Sequence, residues 1–307
     1  MCIRDRYMGV YEIRDRDEAV SIMVDKANIA ADTIKNNYDC CVAYYDEHLL
    51  EISIEQRRLL GEFEPALQND EFVMYLQPQV KRDGAAKGAE ALVRWVHPSR
   101  GILTPYAFID ILENAGLIYK LDLYIWEKAA QKLAEWKEKG YGSYHISVNI
   151  STKDFYIIDI YETFTGLINK YGIAASNLHL EITETTLMTD FEKNMNIIHK
   201  LQGVGFRVEI DDFGSGYSSL NMLKDISADV LKIDMGFLRK SENEVKGQDI
   251  LESIITLAGK IGMDVITEGV ETKKQLDMLT MMGCHEFQGY YFSKPVPVSE
   301  FEEKYLV

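Results

Sequence analysis

From Phe72 onward the sequence alternates short apolar stretches with helix-periodic ones. The strand-like stretches are FVMYLQPQV, GAEALVRWV, YHISVNI, LHLEIT, FRVEIDDF, DVLKID, DVITEG and EFQGYYF. Strands that alternate with helices pack as a parallel sheet whose outer face the helices cover. Eight of them over roughly 240 residues predict a closed TIM-type (β/α)8 barrel, an α/β fold with the helices outside. The first pair breaks the rhythm. KRDGAAK, which joins them, is too short for a crossover helix and suits a hairpin turning near Asp83-Gly84. The first strand is therefore expected to run antiparallel. An open doubly wound sheet is the structural alternative, but no glycine-rich phosphate turn supports it.

Helical periodicity places helices over Pro105 to Ala115, Leu121 to Lys139, Asp190 to Leu201, Ser218 to Lys224, Asp249 to Ile261 and Thr272 to Met282. The style before Asn69-Asp70 is different. An amphipathic helix from Asp17 to about Asn36 is followed by the strand-like CVAYYD and a helix through Ile54 to Leu67, too little material for an independent domain. This divides the chain into a short helical N-terminal segment and linker, 1–54, and a barrel, 55–307.

In such barrels the functional residues sit at the C-terminal strand ends. Those ends carry Asn149, Glu181, Asp211 with Asp212, Lys232, Glu268 and Gln288, and the second strand adds Glu90 and Arg94 within EALVRW. A lone acid at a strand end is commonly a helix cap or a loop residue. A ring of them is different, because converging carboxylates repel unless cations lie among them. Two Mg²⁺ or Mn²⁺ ions are the expected neutraliser. His97, His145 and His179 match no ligand spacing and are expected to be packing or surface residues, which argues against zinc at this site. Paired divalent ions serve in-line phosphoryl displacement, so the implied reaction class is phosphodiester hydrolysis, with Lys232 steadying the water or the transition state and Glu268 binding metal or accepting a proton.

The formal charge of −16 excludes broad electrostatic binding to duplex nucleic acid. No apolar run has the length of a membrane span, and the four cysteines lack CxxC or zinc spacing. The expected location is cytoplasmic, either as a free chain or as the cytoplasmic part of a longer, membrane-anchored protein.

YLQPQV, AEALVRW, Leu121-Asp122, SVNIS, LEITET, IDDFGSGYSSL, LKID, TEGVET and QGYYFSKP occur in the order and spacing of one family. The sequence resembles the EAL-domain cyclic di-GMP phosphodiesterases. That resemblance implies Glu90, Asn149, Glu181 and Asp211 as ligands of one metal, with Asp211, Asp212 and Glu268 at or near a second. It implies Lys232, Glu268 and Asp212 as catalytic, and Gln77, Arg94, Asn149, Glu271 and Gln288 as substrate contacts. It also implies Glu184 as support for the loop Asp212 to Ser219, a homodimer through that loop and the following helix, and the linear dinucleotide pGpG as product. The N-terminal GVYEIRD is similar to the closing part of a GGDEF domain whose signature loop is absent from this sequence.

Two departures bear on the site. The loop reads DFGSG where many relatives have DFGTG, a swap that keeps the hydroxyl. Glu209 shares a strand face with Asp211, where many members place a small residue, and a Lys or Arg partner from a neighbouring strand is expected for it. Two other readings are a catalytically silent cyclic di-GMP receptor and a dimerising signalling module, against which stands the presence of every acid and the lysine.

Overall fold

The computed structural model describes residues 7–34, 41–213, 226–234, 236 and 244–306. The chain divides into two compact units, Met1–Asn69 and Asp70–Val307.

In the first unit β1 (Met8–Val10) and β2 (Val42–Tyr44) pair in parallel, connected through α1 (Val20–Asp32). The helix α2 (Glu47–Gln68) follows, and the Asp46 carboxylate starts it by accepting the Leu49 N–H at 2.9 Å. Ala30 on α1 and Leu59, Phe63 and Ala66 on α2 are buried. The short β1 carries too few residues for a period-2 pattern to be read from sequence.

The second unit is the barrel. β3 (Phe72–Lys81), β4 (Ala86–His97), β6 (His145–Ile150), β7 (Leu178–Thr183), β8 (Val208–Phe213), β9 (Val230–Asp234), β10 (Asp264–Glu268) and β11 (Glu286–Phe287) close into one ring through the β3–β4 pairing. All eight sequence-read strands are in it. β3 is antiparallel to both β4 and β11, and the other neighbours are parallel, so the expected antiparallel first strand is present. Two short strands, β5 (Gly101–Leu103) and β12 (Val296–Pro297), extend the sheet outside the ring.

The last read strand, EFQGYYF, narrows to Glu286–Phe287, after which the chain turns. The helical stretch between YHISVNI and LHLEIT, unread from sequence, forms α5 (Asp154–Ile157) and α6 (Ile160–Tyr171). Asp159 caps the start of α6 through the Glu162 N–H, and Gly172 ends it at φ 61°. The helix expected near Ser218 lies outside the described residues.

The outer helices α3 (Ile109–Asn114), α4 (Ile118–Glu138), α7 (Glu184–Thr189), α8 (Phe191–Val204), α9 (Glu244–Lys260), α10 (Lys273–Met281) and α11 (Val298–Tyr305) cover the strands. α4 illustrates how. Its buried residues Leu121, Ile125, Trp126, Ala129, Leu133 and Trp136 recur at helical spacing and lay one stripe on the sheet. The Trp126 indole N–H donates to the Asn149 carbonyl at 2.9 Å, which ties the helix to the end of β6. Outward-facing Ile146, Val148, Leu180, Ile182, Val208 and Ile210 are buried beneath the helices. The inward positions between them are polar, which turns the barrel interior into a site rather than an apolar core.

Candidate active site

Inward positions on a strand are two residues apart, so each strand delivers its polar residues to the lumen at fixed spacing. β9 brings Lys232, β7 Glu181, β8 Asp211, β10 Glu268 and β4 Glu90. They converge. The Lys232 ammonium, 0 % exposed, lies 2.7 Å from Glu268 Oε1, 2.9 Å from Glu181 Oε2, 3.3 Å from Glu90 Oε2 and 3.5 Å from Asp211 Oδ1.

Amides complete the ring. Gln288, just past β11, donates from Nε2 to Glu90 Oε2 at 2.5 Å and to Gln77 Oε1 at 3.2 Å. Asn149, at the solvent-facing rim, donates to Glu90 Oε1 at 3.2 Å, and Gln77 donates to the Ser293 carbonyl at 3.3 Å. Glu90 is thus oriented by two amides and the lysine together.

Four carboxylates stand within 4 Å of one ammonium, so the ring carries three formal negative charges in excess. The strain shows in the acids. Burial, with Glu90 close by, raises Glu181 well above the ordinary carboxylate value. Burial also pushes Glu268 up to about 8, against the pull of Lys232 and with Asp211 and Glu90 adding to it. Burial alone would lower Lys232, but Asp211, Glu181, Glu268 and Glu90 outweigh it and hold the ammonium well above its usual value. Both Glu181 oxygens, Glu268 Oε1 and Gln288 Oε1 are buried without a hydrogen bond. Glu181 Oε2 and Glu268 Oε1 have only the charge contact with Lys232. Unsatisfied buried carboxylate oxygens, all hard donors, fit Mg²⁺ or Mn²⁺.

Asp212, exposed beside this ring, has φ 57°, and its N–H donates to Asp211 Oδ1 at 2.9 Å. Its carboxyl is raised by burial and by Asp211 and Asp234. Asp234, two residues beyond Lys232, is therefore part of the mouth. Sequence reading omitted it, although the same period-2 rule that selects Lys232 selects it.

Some expected residues stand apart. The Arg94 guanidinium donates to the Val93 carbonyl at 2.8 Å and lies over the Tyr75 ring at 5.4 Å. The exposed Glu271 uses its backbone N–H to hold Gln275 Oε1 at 2.9 Å, in the cap of α10. Glu184 opens α7, but the loop assigned to it lies outside the described residues from 214 onward.

A second polar layer lies deeper in the barrel. Glu209, 0 % exposed, is held by His179 Nδ1 at 2.6 Å and Ser147 Oγ at 3.3 Å. Its partner is a histidine and not the expected Lys or Arg. An imidazole placed two residues before Glu181 on β7 reaches the same lumen face as Glu209. His145 stacks on His179 with centroids 3.8 Å apart, and its Nε2 lies 2.7 Å from Gln79 Oε1. The two histidines read as unrelated thus meet, because β6 and β7 are neighbours.

A (β/α)8 barrel that gathers four carboxylates and an amide cluster around one buried lysine, at the C-terminal strand ends, defines a class whose site suits hard cations. Within that class the chain belongs to the EAL domain family, whose profile matches residues 61–295. It is 32% identical over 272 residues to the bifunctional diguanylate cyclase/cyclic di-GMP phosphodiesterase MucR of Pseudomonas aeruginosa, covering 88% of this chain and 39% of that protein. It is 33% identical over 240 residues to the cyclic di-GMP phosphodiesterase PdeR of Escherichia coli K12, covering 78% and 36%. The chain therefore spans about two-fifths of the length of these relatives or less. Among solved structures, the MucR phosphodiesterase in complex with c-di-GMP superposes with a TM-score of 0.75 at 33% identity, covering 80% of this chain and 99% of that one. No helix among the described residues is long and apolar enough to cross a membrane.

Proposed function

We propose that the barrel hydrolyses cyclic di-GMP to linear pGpG. The observation that carries this reading is the buried Lys232 ammonium surrounded by Glu90, Glu181, Asp211 and Glu268, two of which keep oxygens without hydrogen bonds. The names of the relatives, and the cyclic di-GMP bound in the superposed structure, supply the substrate.

Two Mg²⁺ or Mn²⁺ ions held among Glu90, Asn149, Glu181, Asp211, Asp212 and Glu268 would neutralise the phosphodiester and acidify water. The water oxygen forms the new P–O bond, the P–O3′ bond breaks, and the 3′ oxygen takes a proton, leaving a 5′-phosphate. Lys232 steadies the oxygen that develops charge, since an ammonium held without water costs no reorganisation at the moment of reaction. Glu268, 2.7 Å from that ammonium, is placed to take the proton of the water. Gln288 and Asn149 keep Glu90 in place, Gln77 accepts the second hydrogen bond of Gln288, and Arg94 supplies a fork donor for phosphate.

We read 55–307 as the catalytic part, and 1–54 as a linker segment of GGDEF-like origin. We further place the protein in the cytoplasm and expect a homodimer through the segment after Asp212.

Chromatography of cyclic di-GMP incubated with the protein and Mg²⁺ or Mn²⁺ tests the reading. Linear dinucleotide should accumulate with either metal. Absence of product at high enzyme concentration, with binding retained in Ca²⁺, would make the protein a receptor instead.

A further inference from the structure

We propose that His145, His179 and Glu209 form a second metal site, in the lower part of the barrel, that takes one borderline transition ion such as Zn²⁺. A ligating atom from each lies within 4.8 Å of the others, and the residues are 8 %, 4 % and 0 % exposed. Each comes from a different strand of three neighbours, β6, β7 and β8.

One observation independent of that clustering points to a missing ligand. Glu209 Oε2 is buried with no hydrogen-bond partner. Buried polar atoms are ordinarily paired, so an orphaned carboxylate oxygen beside two imidazoles marks a place for a cation. Nearby cations are engaged elsewhere: Lys87 with Glu286, and Arg207 with Asp264 at 2.5 Å. Among the described residues only His179 comes within ion-pair distance of Glu209.

Donor chemistry separates this site from the one above it. The upper ring offers oxygen and suits Mg²⁺ or Mn²⁺, whereas two imidazoles and one carboxylate suit Zn²⁺ or Co²⁺. Burial holds His145 well below the usual histidine value, which keeps it neutral with a lone pair to give. Access exists, because a cavity of about 510 Å³ is lined by His145, His179, Glu209 and Arg207.

The present stack sets one condition. An imidazole binds an ion in its own ring plane, and the two planes are parallel within 5°. One ring must turn for both to share an ion, and the cavity on which both border gives it room. A loaded site would cross-link the strands that carry Asn149, Glu181 and Asp211 farther along.

The test is X-ray absorption on the whole chain, saturated with Mg²⁺ and given one equivalent of Zn²⁺. None of the six histidines belongs to the upper ring, so imidazole scattering cannot arise there. A first shell with two imidazoles is expected, and His145→Asn and His179→Gln should each weaken Zn²⁺ affinity at least tenfold and diminish that signal. Glu268→Gln should leave both unchanged. An oxygen-only shell in the unsubstituted protein overturns the proposal. So does imidazole scattering that survives both substitutions, which would place the ion on surface histidines. Where one variant folds poorly, the other carries the assignment, and an unsubstituted spectrum without imidazole overturns the proposal by itself.

Discussion

Lys232 Nζ and Glu268 Oε1 stand 2.7 Å apart with the lysine fully buried, and this pair joins the charge balance of the site to its chemistry. Lys232→Met removes the cation that four carboxylates share. Removing one partner of a buried charge pair costs about 3–5 kcal/mol, so the metal-free variant should melt well below the parent. Mg²⁺ should recover much of the loss, because divalent charge replaces the ammonium. Turnover should fall by roughly 10²-fold or more, as for other groups that stabilise developing charge. Calorimetry with and without Mg²⁺, beside a product assay, checks both halves.

Glu268→Gln keeps the shape of the side chain and removes its ability to accept a proton. The expected loss in turnover is on the order of 10²–10⁴-fold. Calorimetric binding of cyclic di-GMP in Ca²⁺, whose looser coordination misplaces a nucleophile, should change little by comparison. An unchanged rate would remove Glu268 from the mechanism.

The upper ring was legible in the sequence because period-2 strands put Asn149, Glu181, Asp211, Lys232 and Glu268 at strand ends, and a barrel brings strand ends together. The lower layer was legible only at Glu209, placed on the face of Asp211. Gln79, Ser147 and His179 also lie two residues from a recognised position and could have been selected by the same rule. Which of them touch depends on register, and register came only with the pairing of Ser147 with His179 and of Glu181 with Glu209. Short elements such as β5 and β12 escaped for another reason. Their two or three residues hold no period, and sheet pairing alone defines them.

Gly88 lies opposite His145 in the β4–β6 register, and a Cβ there would come within 2.4 Å of the imidazole. Gly88→Ala therefore forces the ring away from its stack on His179 and from Gln79. Overpacking of this kind costs about 1–3 kcal/mol. Thermal melts should show the loss, and pairing the change with His145→Ala should relieve most of it. If the two losses simply add, the contact is not the cause.

Asp122, on α4, lies beside Asp154, which accepts from the Ser151 N–H at 2.8 Å and hydroxyl at 2.9 Å. Asp122 keeps some exposure as a residue, but its carboxyl is desolvated. Burial first, and Asp154 second, raise it well above the usual aspartate value. The folded state then holds a proton that the unfolded state releases near pH 3.9. Stability is accordingly complete below that pH and declines as pH climbs toward the raised value. Asp122→Asn should flatten this decline and raise Tm at neutral pH, measured as melts from pH 4 to 8. A parallel decline in the variant would locate the titration elsewhere.

Asp212 adopts φ 57°, a left-handed backbone that costs an ordinary L-residue about 1–2 kcal/mol, and asparagine and aspartate bear it best. Strain and charge can therefore be separated at this one position. Asp212→Asn keeps the local geometry and should leave Tm close to the parent. Asp212→Ala has no polar side chain to favour the left-handed turn and should lose about 1 kcal/mol. If the carboxylate serves the cations of the upper mouth, both substitutions should abolish most turnover despite their different stabilities. Loss of activity in the alanine variant alone would mean that Asp212 acts by shaping the backbone after β8, and that its charge is dispensable.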